Sequence, residues 1–336
     1  MEWVRGEIIG RGSFSTINIA TPRNHYSEKN SPLMAVKSAS KTESAMLYKE
    51  KDILSCLRDS PRILQCLGDD TTFEDGREVY NVFLELASRG NLAELMKSYG
   101  GKMKEAYVKR YTKAIIEGLC FIHGRDYVHC DIKLQNILVC SIDDIKIGDF
   151  GLAKKVGEER NPNLNGTPLY MSPESVSCNE QETPSDIWAL GCVVLEMITG
   201  KPAWRCGVDA DVSSLLFRIG FSDEMPEIPD EVSEQGKDFL KKCLVRDPTK
   251  RWTAEMLLDH PFVADNDDEI VPLPEFEKLY RNPSPRSAFG FPDWTPRGAN
   301  SSCSSFDFES PACRIRELAV AEELDWSNSD CWINVR

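Results

Sequence analysis

Within eight residues, His129-Cys130-Asp131-Ile132-Lys133-Leu134-Gln135-Asn136, the chain sets an Asp, a Lys and an Asn at fixed short spacing. A second Asp follows 18 residues after the first, in Asp149-Phe150-Gly151. A carboxylate can orient a hydroxyl, an ammonium is a point charge for an oxyanion, and an amide oxygen or second carboxylate ligates a hard divalent cation. Together they are equipment for phosphate chemistry, where the protein works by positioning and charge neutralisation. Taken singly, each carboxylate is more simply a solvated surface group. Asp143 and Asp144, which lie between the two clusters, are expected to be that.

Upstream lies Ile9-Gly10-Arg11-Gly12-Ser13-Phe14-Ser15-Thr16-Ile17, with Ser15 where a third glycine would complete the spacing. Glycines let backbone amides approach phosphates without an intervening side chain. By itself the stretch is no more than a β-turn, but Ala35-Val36-Lys37 follows, with Lys37 27 residues beyond Gly10. Leu47-x-x-Glu50-x-x-Ile53-Leu54 then offers a helical carboxylate, so Glu50 is the expected partner of Lys37. Glu43 is the alternative, although it lies outside the apolar periodicity.

These residues need elements to hold them. Residues 3–37 alternate apolar and polar around the glycine-rich turn and read as strands. Residues 43–57 switch to helical spacing, and Val79 to Leu86 is another strand closed by Ser88-Arg89-Gly90-Asn91. Farther on the chain is mostly helical; residues 104–123 place Tyr107, Tyr111, Ile115, Leu119 and Ile122 on one stripe. A strand-rich first part followed by a helix-rich second predicts an α+β architecture of two lobes, joined near Ala87–Asn91. The apolar run Ile187 to Ile198 contains Gly191 and Glu196, is too short to span a bilayer, and predicts a buried helix.

Composition narrows the classes. A chain of 336 residues exceeds what one core fills. Its net charge of −14 argues against a general nucleic-acid or anionic-membrane binder. Four histidines make a multi-histidine metal site improbable, and twelve scattered cysteines contain no C-x-x-C pair. With no basic, apolar leader after Met1, reduced thiols in a cytoplasmic or nuclear protein are expected. Residues 264–336 hold fourteen acidic and seven basic residues, half of the net charge, and 282–313 is rich in Ser, Pro, Asn and Gly. A low-complexity acidic tail, disordered or loosely docked, is expected there.

The five elements, in this order, resemble the protein kinase family. Downstream, Gly166-Thr167-Pro168-Leu169-Tyr170-Met171-Ser172-Pro173-Glu174 is similar to that family's substrate-binding loop, with Ser172 in place of Ala. Asp186-Ile187-Trp188-Ala189-Leu190-Gly191 is similar to its buried central helix, and Arg251 to the residue that pairs with Glu174. The resemblance covers residues 3–263 and implies a small β-rich N-lobe (3–87), a large helical C-lobe (88–263) and a separate tail. It further implies ATP held by residues Ile9 to Ile17, by Ala35 and by Lys37 with Glu50. Glu85 and Ala87 would offer backbone hydrogen bonds to adenine behind a gate at Leu84. Asp131 would orient the substrate hydroxyl with Lys133 beside it, and Asn136 and Asp149 would hold Mg2+.

Lys133 and Thr167 mark the serine/threonine type, Thr167 being expected to bond to Asp131 and Lys133. Thr199-Gly200-Lys201-Pro202-Ala203-Trp204 and His260-Pro261-Phe262 resemble mitogen-activated protein kinase kinase kinases, the plant MEKK-like members above all. The implied substrate is the activation loop of a MAP kinase kinase in a plant stress or hormone cascade. A catalytically inactive scaffold and a Ser/Thr kinase of another family remain the alternatives. Cys130 stands where most kinases carry the Arg that binds an activation-loop phosphate, and residues 152–166 contain no Ser, Thr or Tyr. Activity without phosphorylation of that loop is therefore expected. In the tail, Ser284-Pro285, Thr295-Pro296 and Ser310-Pro311 precede Arg314-Ile315-Arg316-Glu317-Leu318-Ala319-Val320. That segment resembles a MAP kinase docking or feedback peptide; it also reads as a short amphipathic helix packed back on the catalytic domain.

Overall fold

Trp3–Arg11 (β1), Thr16–Pro22 (β2), Met34–Ser40 (β3), Cys66–Glu74 (β4) and Arg77–Glu85 (β5) form an antiparallel sheet in the order β1-β2-β3-β5-β4. The computed structural model describes residues 2–12, 15–23, 32–141, 144–158, 164–205 and 211–264. Ser13, Phe14, Asp143 and the tail from 265 on, with its three Ser/Thr-Pro sites and residues 314–320, lie outside the described residues.

Strand β3 is covered on both faces, and its period of two sorts the side chains. Met34 and Val36 pack with Ala20 and Phe83 against Trp3, while Ala35 and Ala39 join the main core. Lys37 falls on the Ala35/Ala39 face and so projects inward. Beneath that face lies α1 (Ala45–Cys56), which buries Leu47, Ile53 and Leu54 with Glu50 in the same stripe. A carboxylate on an inward apolar face needs a cation, and β3 supplies it. On the other face Arg5 bridges Ser38 (2.8 Å), Asn81 (2.8 Å) and Glu74 (2.9 Å), so the buried polar groups there are partnered.

After a turn over residues 86–91 the chain becomes helical: α2 (Leu92–Ser98) and α3 (Glu105–His123). Asn91 caps α2 by accepting from Glu94 N–H at 3.0 Å. All five residues of the expected α3 stripe are buried. Short ladders follow, β6 (Tyr127–Val128), β7 (Ile137–Val139), β8 (Ile145–Ile147) and β9 (Lys154–Lys155), with β6 pairing β9 and β7 pairing β8. The remaining helices are α4 (Pro173–Cys178), α5 (Thr183–Thr199), α6 (Val212–Phe221), α7 (Glu234–Cys243), α8 (Ala254–Leu258) and α9 (Pro261–Ala264). Helix α5 is buried without interruption from Ser185 to Met197, which explains its lack of a polar face. Among the described residues no helix is long and apolar enough to cross a membrane.

Gly191 lets α5 and the end of α7 close on one another. A Cβ there would lie 2.8 Å from the Cys243 Cβ and 2.9 Å from a Leu244 methyl. Gly191→Ala is therefore expected to destabilise by about 1–3 kcal/mol through overpacking. The check is a lowered urea midpoint with an unchanged slope.

Candidate active site

Lys37 ends between two carboxylates brought from different elements. Its Nζ lies 2.7 Å from Glu50 Oε2 on α1 and 2.9 Å from Asp149 Oδ1, on the segment after β8. Burial works to lower the Lys37 pKa, but the two carboxylates win and hold it well above the usual lysine value. Burial also works to raise Asp149, and the Lys37 charge overrides it, leaving Asp149 below the usual range. For Glu50 burial prevails, with Lys37 opposing and Asp149 adding, so its carboxyl is pushed up. The cluster is thus an ammonium serving two carboxylates, with the Asp149 side chain the more open at 29% exposed.

A second cluster surrounds Asp131. Asn136 donates its amide to Asp131 Oδ2 at 2.7 Å and to the Asp131 carbonyl at 2.9 Å. Lys133 Nζ lies 3.0 Å from Oδ2, and the Thr167 hydroxyl donates to Oδ1 at 2.8 Å. Lys133 also donates to the Thr167 hydroxyl oxygen at 3.1 Å, so the loop before α4 is tied to the segment carrying Asp131. With its NH2 engaged, Asn136 keeps its amide oxygen as acceptor. That oxygen and the Asp149 carboxylate are hard donors of the kind Mg2+ accepts.

The two clusters are held to each other by His129. Its Nε2 donates to the Gly148 carbonyl at 3.0 Å, while Nδ1 accepts from Asp131 N–H at 3.2 Å. Its ring meets Phe150 edge-on at 4.8 Å. Gly148 N–H in turn donates to the Asn136 carbonyl at 2.9 Å. Below them, the buried Asp186 carboxylate on α5 accepts from His129 N–H, Cys130 N–H and His123 Nε2, each at 2.9 Å. These donors hold Asp186 below the usual carboxylate range although burial works to raise it. Cys130 and Asp149 have positive φ, 67° and 60°, a strained conformation for non-glycine residues. Burial and the nearby Asp186 push the Cys130 thiol well up.

The other residues singled out in the sequence lie around these clusters. In the glycine-rich stretch Gly10 pairs with Ile17 and Arg11 with Thr16, and Gly12 N–H donates to the Ser15 carbonyl at 2.8 Å. Ile17 pairs with Lys37 across β2 and β3, and Ala35 stands opposite the buried Leu84. The Glu85 carboxylate is held by Lys146 at 2.7 and 2.8 Å, and the Ala87 carbonyl accepts from Gly90 N–H at 3.2 Å. Arg251 grips Glu174 with two bonds, at 2.7 and 3.0 Å. Glu43 sits outside the α1 stripe, in the turn before it. Sequence reasoning assigned no contact to His129 or Lys146, nor any part to Lys154, Gln181 or Glu182. Only His129 carried a signal, its place two residues before Asp131.

With the geometry in hand, comparison with known proteins is specific. The family model described as "Protein kinase domain" matches residues 3–263. Mitogen-activated protein kinase kinase kinase 20 of Arabidopsis thaliana is 45% identical over 348 residues, covering 100% of both chains. Mitogen-activated protein kinase kinase kinase 17 of the same plant is 41% identical, covering 80% of this chain and 71% of its own length. Mitogen-activated protein kinase kinase kinase 18 is also 41% identical, covering 81% and 80%.

The loop before α4 rests on a titratable contact. The Tyr170 hydroxyl donates to the Glu196 carboxylate on α5 at 2.6 Å, and burial pushes the Glu196 carboxyl up from 4.5 to about 7. A raised folded-state value means the folded protein takes up this proton more readily than the unfolded chain. The associated stability is complete below about pH 4.5 and lost as the pH rises through about 7. The full excursion is at most about 3 kcal/mol. Glu196→Gln, which still accepts from Tyr170, is expected to flatten stability across that window in thermal melts; an unaltered slope would exclude Glu196 as its source.

Proposed function

The chain belongs to the protein kinase family, and from that premise we propose that it is a serine/threonine kinase acting as a mitogen-activated protein kinase kinase kinase. Its substrates are then activation-loop hydroxyls of MAP kinase kinases in a plant stress or hormone cascade. The full-length similarity to a protein of that name supports the assignment. The observation that carries the chemistry is the Asp131 carboxylate, gripped by Asn136, Lys133 and Thr167 at 2.7–3.0 Å.

The roles follow from what each group can do. Residues Ile9 to Ile17 would cover the ATP phosphates with backbone amides, and Lys37, kept in place by Glu50, would contact the α- and β-phosphates. Ala35 and Leu84 would border the adenine, which would share backbone hydrogen bonds with Glu85 and Ala87. Asn136 and Asp149 would hold Mg2+, which when bound would neutralise charge on the transferring group. Asp131 orients the substrate hydroxyl and accepts its proton as the oxygen bonds to the γ-phosphorus and the bond to the β-phosphate oxygen breaks. Lys133 steadies the negative charge beside it. The catalytic unit spans 3–263, with 3–87 and 88–263 as its lobes and 264–336 as a regulatory or docking tail. We place its action in the cytoplasm or nucleus, where its cysteines would be kept reduced.

An inactive scaffold would be favoured by a broken catalytic set. The departures, Cys130 and Ser15, leave Lys37 paired with Glu50 and Asp149, and Asp131 bonded to Asn136. The test is phosphosite mapping on a panel of MAP kinase kinases with Mg-ATP, in a preparation free of other kinases. Activation-loop sites are expected, with Lys37→Met and Asp149→Ala slower by about 10³-fold or more. Unchanged rates in both variants would refute the reading. Leu84→Gly is expected to admit bulky purine inhibitors that the wild type excludes, seen as a lowered inhibitory concentration. Equal inhibition of both forms would move the hinge elsewhere.

A further inference from the structure

The first two residues of the turn that opens α5 hold both ends of the segment between Asp149 and Thr167. Glu182 Oε1 lies 2.8 Å from Lys154 Nζ on β9, and the same carboxylate accepts from Gly157 N–H at 3.3 Å through each oxygen. Gln181 donates its amide to the Asn165 carbonyl at 2.7 Å. The residues so held, Lys154, Gly157 and Asn165, belong to the stretch 152–166, whose sequence contains no Ser, Thr or Tyr.

We propose that the Glu182 carboxylate is a built-in substitute for an activation-loop phosphate, acting as a positioning residue that keeps this kinase ordered without modification. Phosphorylation orders such a loop by adding a negative charge that pairs with cations. Here the negative charge is supplied by the fold and the cation by Lys154. The position is the relevant one. Lys154 pairs with Val128 across β9 and β6, and Val128 runs directly into His129, Cys130 and Asp131. Glu182 and Asp186 lie one helical turn apart at the start of α5. One therefore fixes the segment after Asp149 while the other fixes the backbone of Cys130 at 2.9 Å. Lys154 and Glu182 both lie close enough to Cys130 to act on its thiol electrostatically. That is the residue at which an Arg would otherwise meet a phosphate. Cys130 cannot pair with an anion, and Glu182 makes such an anion unnecessary.

The Lys154 and Glu182 side chains are 15% and 39% exposed, so the pair adds little to global stability. Its effect lies in placement, and misplacing reacting groups by about 1 Å lowers rates about 100-fold.

The inference rests on the kinase reading, and the experiment separates the two. Lys154→Met leaves the α5 cap untouched, and Glu182→Gln keeps the backbone carbonyl that accepts from Ser185 N–H at 2.8 Å. Each is expected to lower kcat by roughly 10- to 100-fold, with KM for ATP nearly unchanged and melting temperature close to wild type. The double variant should be no slower than the slower single, because both remove one interaction. Amide exchange at 155–158 and 164–167 should accelerate in all three, and phosphatase treatment should leave the wild type fully active. Wild-type kcat in the singles, additive losses in the double, or losses matched by a fall in melting temperature would overturn the substitution. So would unchanged amide exchange, a readout that holds even if the wild type phosphorylates nothing. An inactive wild type would instead sink the kinase reading.

Discussion

The Asp186 carboxylate is the constraint on which the site depends. A charge buried at 1% exposure would be costly if unpaired, and three donors at 2.9 Å satisfy it. Two of them are consecutive backbone amides, which can converge on one carboxylate only if the chain turns sharply. The turn is taken at Cys130, whose φ of 67° is unfavourable in isolation. Asp131 is placed immediately after that turn. Its direction is thus set from below by a helix that is itself immobilised on all sides in the core.

The Lys37 cluster imposes a different kind of constraint, because its three members belong to separate pieces of the fold. β3 is fixed by its sheet, whereas α1 is held through its apolar stripe and through Glu50. If α1 rotated away, Lys37 would keep Asp149, but Glu50 would be left either buried without its cation or exposed with its apolar neighbours. The cluster therefore couples the docking of a whole helix to the placement of one ammonium. The Asp149 backbone, at φ 60°, turns its carboxylate into that contact.

Part of this was legible in the residues. The two-lobed α+β order could be read because strand and helix periodicities differ, and the change at residue 43 is abrupt. A helical partner for Lys37 was implied by the resemblance, and the apolar periodicity selected Glu50 over Glu43, which lay off the stripe. The bond between Arg251 and Glu174 and the contact of Thr167 with Asp131 were accessible only through resemblance. Lys154 and Glu182 are 28 residues apart, and Asp186 lies 56 from Cys130. No local periodicity links such pairs; they are brought together by the arrival of α5 beneath the β6–β9 ladder. Lys146 on β8 reaches Glu85 at the end of β5 across 61 residues, again with no local periodicity to link them. The acidic tail was recognisable by composition alone, and its Ser/Thr-Pro sites and basic-apolar segment lie beyond the described residues.

The cysteines lend the catalytic region a particular chemical character. Burial pushes the thiols of Cys120 and Cys140 up to about 11 and about 12, and those of Cys192, Cys243 and Cys130 upward as well. Peroxides and electrophiles attack the thiolate rather than the thiol. At neutral pH a thiol with a pKa near 11 holds only about one thiolate in ten thousand. The sulfur next to Asp131 is shifted in the same direction, by burial first and then by the Asp186 charge. Among the described cysteines, Cys56 and Cys178 are the exposed ones. Oxidants would therefore meet those two sulfurs before the buried ones.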